Sequence, residues 1–178
     1  MEPEGARREV LALFDEHGSA VYRFALVLLR HHQDAEDVVQ ETFVKLLEHL
    51  GTGVPGHSDS NVRGWLFTVA AHACTDRLRR RSRWVPWTPS NDAAVAPPAL
   101  HDEDGQLRAV RIAMAKLAPR DRLLVALRAQ GLSYREIAEA AGVRPVSIGR
   151  LLARAMDRWE RAYASAPALP HAYGRSAS

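Results

Sequence analysis

SYREIAEAAGVRPVSIGRLLARAMDR, residues 133–158, holds two helices and the turn between them. Ser133 followed three residues later by Glu136 is a capping box: the hydroxyl takes an orphan amide of the first turn and the carboxylate reaches back to the cap amide. A short helix follows with Ile137, Ala138 and Ala141 on one face. Gly142 ends it, because glycine enters the left-handed region without steric cost. Pro145 stands where a second helix begins and a missing N–H is harmless. Gly142 stands four positions after Ala138, and Ile148 six positions after Gly142. A small residue at the crossing, a glycine in the turn and a branched apolar plug at that spacing predict a helix-turn-helix.

The second helix has two faces. Ile148, Leu151, Leu152, Ala155 and Trp159 recur at helical spacing and are expected inside, while Ser147, Arg150, Arg154 and Arg158 line the other side. An arginine stripe on the second helix of such a unit suits phosphates and base edges in a major groove. The plainer reading is a helical hairpin with a solvated basic face.

The 178 residues suffice for one medium domain or two small ones. No apolar run approaches the roughly eighteen residues that span a bilayer, and Met1 to Arg8 has no signal-peptide pattern, so no membrane insertion is expected. The single cysteine, Cys74, fits a cytoplasmic protein without disulfides. Net charge is +3 but unevenly spread. Residues 1–50 carry five Lys/Arg against ten Asp/Glu, residues 51–100 six against three, and residues 101–178 thirteen against eight. An acidic N-terminal part suits a protein partner and a basic remainder suits nucleic acid.

Along the chain, Glu4 to His17 reads as a first helix broken by Gly18, and Ser19 to Arg30 as a second with a wide apolar face. Asp34 is the expected N-cap of a third helix, whose stripe is Ala35, Val38, Val39, Thr42, Phe43, Leu46, Leu47 and Leu50. Its other face shows Asp37, Gln40, Glu41, Val44, Lys45 and Glu48. A loop over 51–60 leads to Asn61, the expected cap of a helix running to Arg83. Val62, Trp65, Leu66, Val69, Ala70 and Ala73 are its core side, with Arg63, Phe67, His72, Arg79, Arg80 and Arg83 elsewhere. It ends in five arginines within seven residues, Arg77 to Arg83, a density that favours a phosphate backbone over mere compensation of the helix dipole. Trp84 to Asp104, with four prolines, reads as a linker. Helices are expected over Gln106–Leu117 and from Pro119 to Gly131, and the Ala/Pro/Ser/Gly-rich tail after Tyr163 as disordered.

In this order the parts resemble the extracytoplasmic-function (ECF) group of sigma-70-family RNA polymerase sigma factors. DAEDVVQETFVKL, residues 34–46, resembles the region 2 helix that docks on the polymerase clamp. NVRGWLFTVA, residues 61–70, continuing to Asp76-Arg-Leu-Arg-Arg, resembles the helix that engages the −10 element. Leu117-Ala-Pro-Arg-Asp-Arg with Gly131-Leu-Ser-Tyr-Arg-Glu-Ile-Ala resembles region 4, which reads the −35 element. The resemblance implies an all-α chain of two small helical domains on a flexible linker: region 2 over 1–83, linker 84–105, region 4 over 106–163 and a tail over 164–178. It implies that Asp34, Asp37, Gln40 and Glu41 bind the polymerase clamp, and that the hydrophobic helix after Pro119 meets in part the polymerase flap. By the same token the loop at 52–60 captures a flipped base; Asn61, Arg63, Arg77, Arg79, Arg80 and Arg81 meet −10 DNA; and Arg144, Ser147, Arg150 and Arg154 meet −35 DNA. The partners implied are core RNA polymerase, promoter DNA and, as for many relatives, an anti-sigma factor. At Gly149 and Leu151 the recognition helix departs from the more polar family pattern.

An enzyme is the rival class. The histidines at 17, 31, 32, 49, 57, 72, 101 and 171 are scattered, with no HExxH or paired-cysteine spacing, so most are expected on the surface and neither metal, cofactor nor catalytic residue is expected. Cys74 is expected to be a small core residue. The nearer alternative is a helix-turn-helix regulator that works without polymerase, but such proteins normally dimerise on palindromes and the acidic N-terminal helix would then have no role.

Overall fold

The computed structural model describes residues 3–51, 59–84 and 105–166. Among them are seven helices and no strand: α1 Pro3–Leu29, α2 His32–Gly51, α3 Asp59–Trp84, α4 Gly105–Lys116, α5 Pro119–Ala129, α6 Tyr134–Ala140 and α7 Pro145–Ala164. The expected linker at 84–105 and the tail lie almost wholly outside the described residues, as does most of the base-capture loop.

The two helices expected before residue 30 are one. Gly18 does not break α1: it is buried within the helix, and the Phe14 ring lies beside it, 3.4 Å from where a Cβ would stand. Phe14 in turn packs edge-on against Phe43 of α2, with centroids 5.0 Å apart. Tertiary packing on both sides of Gly18 outweighs its propensity cost of about 1 kcal/mol. Arg30, at φ 57°, turns the chain in the left-handed region, and α2 starts two residues later. The cap of α2 is His31, not Asp34: the Asp34 amide donates to His31 Nδ1 at 3.3 Å, leaving Asp34 in the first turn. The Tyr22 hydroxyl and His32 Nδ1, 2.7 Å apart, close this α1–α2 hairpin.

α3 lies across the hairpin. Val62, Leu66, Ala70 and Ala73 are buried as expected, but Phe67, expected off the core, is fully buried too and meets Phe24 edge-on at 5.3 Å. The reason is that α3 is covered on two sides, by α1 and α2 on one and by α6 on the other. Asn61 does not cap α3; the helix already begins at Asp59.

The second half packs α5 and α4 against α7, with Leu123 to Leu127 of α5 all buried. Arg122 is also buried. Its Nε donates to Met114 O (2.8 Å), its Nη2 to Leu117 O (2.8 Å) and Ala115 O (3.2 Å), and its Nη1 crosses to Leu28 O at 3.4 Å. One guanidinium thus serves the negative C-terminal end of α4 and ties it to the end of α1, so its charge is compensated by oriented carbonyls.

Residues from all seven helices contribute to one continuous hydrophobic cluster. α6 lies on α3, and α4 and α5 lie on α1. Gly64 leaves room for the α6 side of the junction: a Cβ there would fall 2.2 Å from Glu136 Oε1.

Candidate nucleic-acid interface

The helix-turn-helix forms as its residues dictate. Ser133 Oγ accepts from the Glu136 amide at 3.3 Å, and Glu136 Oε2 accepts from the Ser133 amide at 2.8 Å. Gly142, at φ +62°, makes the turn, and Pro145 opens α7 behind Arg144, its N-cap. Ile148, Leu152 and Ala155 are buried, with Leu151 and Trp159 partly so. On the outer side Arg144, Arg150 and Arg154 are exposed and Ser147 is half-buried. Arg158, expected in the same stripe, is engaged elsewhere: its Nη1 donates to Asp121 Oδ2 at 2.7 Å, locking α7 to α5.

The second basic surface is the end of α3, where Arg79, Arg80 and Arg81 are exposed and Arg77 is half-buried. Two of these arginines run into the acidic face of α2. Arg77 Nη1 donates to Glu41 Oε2 at 2.9 Å and to Ala73 O at 3.3 Å. Arg81 pairs with Asp34 and also donates to Leu29 O at 3.2 Å. Arg79 Nη1 lies 3.5 Å from Asp76 Oδ1. The acidic and basic residues expected to serve separate partners therefore meet in a seam between α2 and α3. Lys45, 2.8 Å away, and then Arg77 hold the Glu41 carboxyl below its ordinary range, against the opposing effect of partial burial. Asp37 and Gln40 lie on the α2 face beside the seam, followed by Val44, which is 56% exposed.

Arg63 is placed differently again. Its Nε donates to Gln130 O at 3.2 Å, across the junction of the halves, and its guanidinium lies over the Phe67 ring at 5.6 Å. Asn61 is in the first turn of α3, and its side chain lies outside the described residues.

Cys74 is buried, and burial pushes its thiol up to about 12. His17 is an exception among the scattered histidines and is buried as well. Among the described residues, no group of three or more His, Cys, Asp or Glu is placed to hold a metal ion, and no helix is long and apolar enough to cross a membrane. The roles of Arg122, Asp121 and Gly64 as individual positions were not visible in the sequence. An arginine one turn into a proline-opened helix, preceded by an aspartate, is the only trace they left there.

Residues 13–83 match Sigma-70 region 2, and residues 107–158 match Sigma-70, region 4. The chain is 32% identical over 145 residues to the RNA polymerase sigma factor CarQ of Myxococcus xanthus, a span of 80% of this chain and 82% of that protein. It is 33% identical over 153 residues to the ECF RNA polymerase sigma factor SigM of Mycobacterium tuberculosis, covering 84% of this chain and 74% of that one. Among solved structures, the sigma factor RpoE of Bartonella quintana, crystallised with the anti-sigma factor NepR, shares the fold: the TM-score is 0.62 at 24% identity, over 90% of this chain and 98% of that one. With both regions present in order, and two relatives matched over most of their length, the chain belongs to the ECF group of the sigma-70 family of RNA polymerase sigma factors.

Proposed function

We propose that this sigma factor directs core RNA polymerase to promoters through three sets of residues, two of which adjoin along the α2–α3 seam, and supplies no bond-making chemistry of its own. Asp34, Asp37, Gln40 and Glu41 on α2 form the polymerase-docking face, extended by the exposed Val44. Asn61, Arg63, Arg77, Arg79, Arg80 and Arg81 on α3 serve the −10 element and its opening. Arg144, Ser147, Arg150 and Arg154 on α7 read the −35 element. Residues 1–83 and 106–163 then act as two working units, with 84–105 as the tether. The cytoplasm is the natural site of action. The observation that carries this reading is α7: Ile148, Leu152 and Ala155 seat it while Arg150 and Arg154 face out. A DNA-binding regulator acting alone would leave region 2 without a role.

The packed arrangement bears on mechanism. Arg63 must leave Gln130 before it meets DNA, and the apolar side of α5 must leave α1 and α7 before it meets a polymerase flap. An anti-sigma factor, the class of partner bound to the Bartonella protein, is a candidate for holding the halves together.

Core-binding affinity tests the docking face. Asp37→Lys is the cleaner substitution, since Glu41→Lys also breaks the pairs with Lys45 and Arg77. Asp37→Lys is expected to weaken core binding without changing thermal stability; full affinity would remove this face from the proposal. Replacing Arg79, Arg80 and Arg81 with alanine is expected to flatten the salt dependence of promoter binding, by about 0.9 in log–log slope for each phosphate left unneutralised. An unchanged slope would contradict the assignment.

A further inference from the structure

The recognition helix presents a residue that none of these roles uses. Val146 is 82% exposed, the most exposed of the large apolar side chains among the described residues. A single exposed valine usually needs no explanation. This one stands one residue after Pro145, in the first turn of α7, and the first turn of the second helix is what a helix-turn-helix presents to base edges. Ile148, Leu152 and Ala155 seat the opposite side of α7 in the core, so Val146 lies on the outward side with Arg150 one turn further on. Between them Gly149 leaves the surface clear: a Cβ there would meet only the Tyr134 ring, 3.9 Å away. No acidic residue occupies the first turn of α7 to repel DNA.

We propose that Val146 is a specificity residue of the upstream promoter element, its isopropyl group packing on the C5 methyl of a thymine in the major groove. That methyl is the one apolar mark a base pair displays there, and it distinguishes the T·A pair and its orientation from the others. Gly149 lets the groove edge approach closely enough for this contact, while Arg150 supplies a charged anchor beside it. The departure from a polar recognition helix at Gly149 thus acquires a purpose: the helix trades one hydrogen-bonding side chain for an apolar reading position. The inference rests on α7 being the recognition helix.

The test uses the complete chain bound to core polymerase, on a promoter defined by mapping transcription starts. Each thymine of the upstream element, on either strand, is replaced in turn by deoxyuridine, which lacks the methyl and keeps the hydrogen-bonding pattern. One replacement is expected to weaken promoter binding about fourfold, the worth of one buried methyl group. Val146→Ala should bind the unmodified promoter several-fold more weakly and be indifferent to that replacement, while its thermal midpoint stays unchanged because the site is exposed. Equal methyl sensitivity in Val146→Ala and the parent overturns the inference, as does an upstream element with no methyl-sensitive thymine. If the polymerase complex binds no promoter at all, the fault lies with the broader assignment of α7 and not with Val146.

Discussion

At the scale of single residues, Arg122 holds together what the rest of the core assumes. It satisfies carbonyls at Met114, Ala115 and Leu117 and reaches Leu28. Methionine fills similar space but leaves those acceptors in a dry interior, where each unsatisfied group costs about 1–3 kcal/mol. Arg122→Met is therefore expected to lower unfolding free energy by ~3 kcal/mol, read from urea titration; a midpoint equal to the parent's would show that the carbonyls find water. Composition hid this role, since an arginine among twenty-four basic residues reads as surface. Cys74 was legible, because a small residue on the inner side of a helix is most often core. Its raised thiol has a definite consequence. Above pH 9.0 the unfolded chain ionises this thiol while the folded chain, with a value near 12, does not. Stability is therefore present below about pH 9 and lost as pH rises toward 12, by the usual proton linkage. Cys74→Ala should shallow that alkaline decline, and the native thiol should resist modification until the chain unfolds.

At the scale of elements, α6 and α7 followed directly from the sequence because their signals are local: a capping box, a left-handed glycine, an N1 proline and an amphipathic stripe. Ser133→Ala is expected to cost about 1 kcal/mol of stability through loss of the cap. Gly149→Ala is expected to raise stability by up to about 1 kcal/mol, since the added methyl meets Tyr134 at ordinary van der Waals distance. If it also weakens promoter binding, the glycine serves the DNA and not the fold; a variant both more stable and fully active would leave the departure at 149 without purpose. Boundaries fared worse where packing decides them. α1 runs through Gly18 because buried residues on both sides of it, Ala6 before and Val21, Phe24 and Ala25 after, hold one helix in the core, and α2 begins at His32 because the His31 ring, an uncommon cap, precedes the expected aspartate. Phe67 looked peripheral because nothing in the sequence says that α6, some seventy residues away, will cover α3.

At the scale of the whole molecule, long-range placement was the least legible part. Segregated charge suggested separate acidic and basic surfaces, but Asp34–Arg81 and Glu41–Arg77 bring the two together. These pairs tie α3 to α2, so that under the proposed assignments DNA and polymerase engage neighbouring residues of one seam. The two regions were readable as units, while their packing onto each other was not, because it rests on scattered long-range contacts: Arg63 to Gln130, Arg122 to Leu28, and Glu136 lying over the bare Gly64. Gly64→Ala must displace Glu136, so it is expected to part α3 from α6. Spin labels at the exposed positions Glu48 and Glu160, with the buried Cys74 silent, would report a longer and broader distance than in the parent. An unchanged distance would mean that Glu136 moves aside and the halves stay joined.

Above all these details stands one property, that this chain gives core polymerase its choice of promoter. Run-off transcription of fragmented genomic DNA from the source organism, with purified chain and bacterial core polymerase and with sequencing of the 5′ ends, tests it most directly. Discrete starts that depend on the chain and share an upstream and a downstream motif are the predicted result. A chain that forms no complex with core polymerase and yields no starts, while still binding DNA, would contradict it.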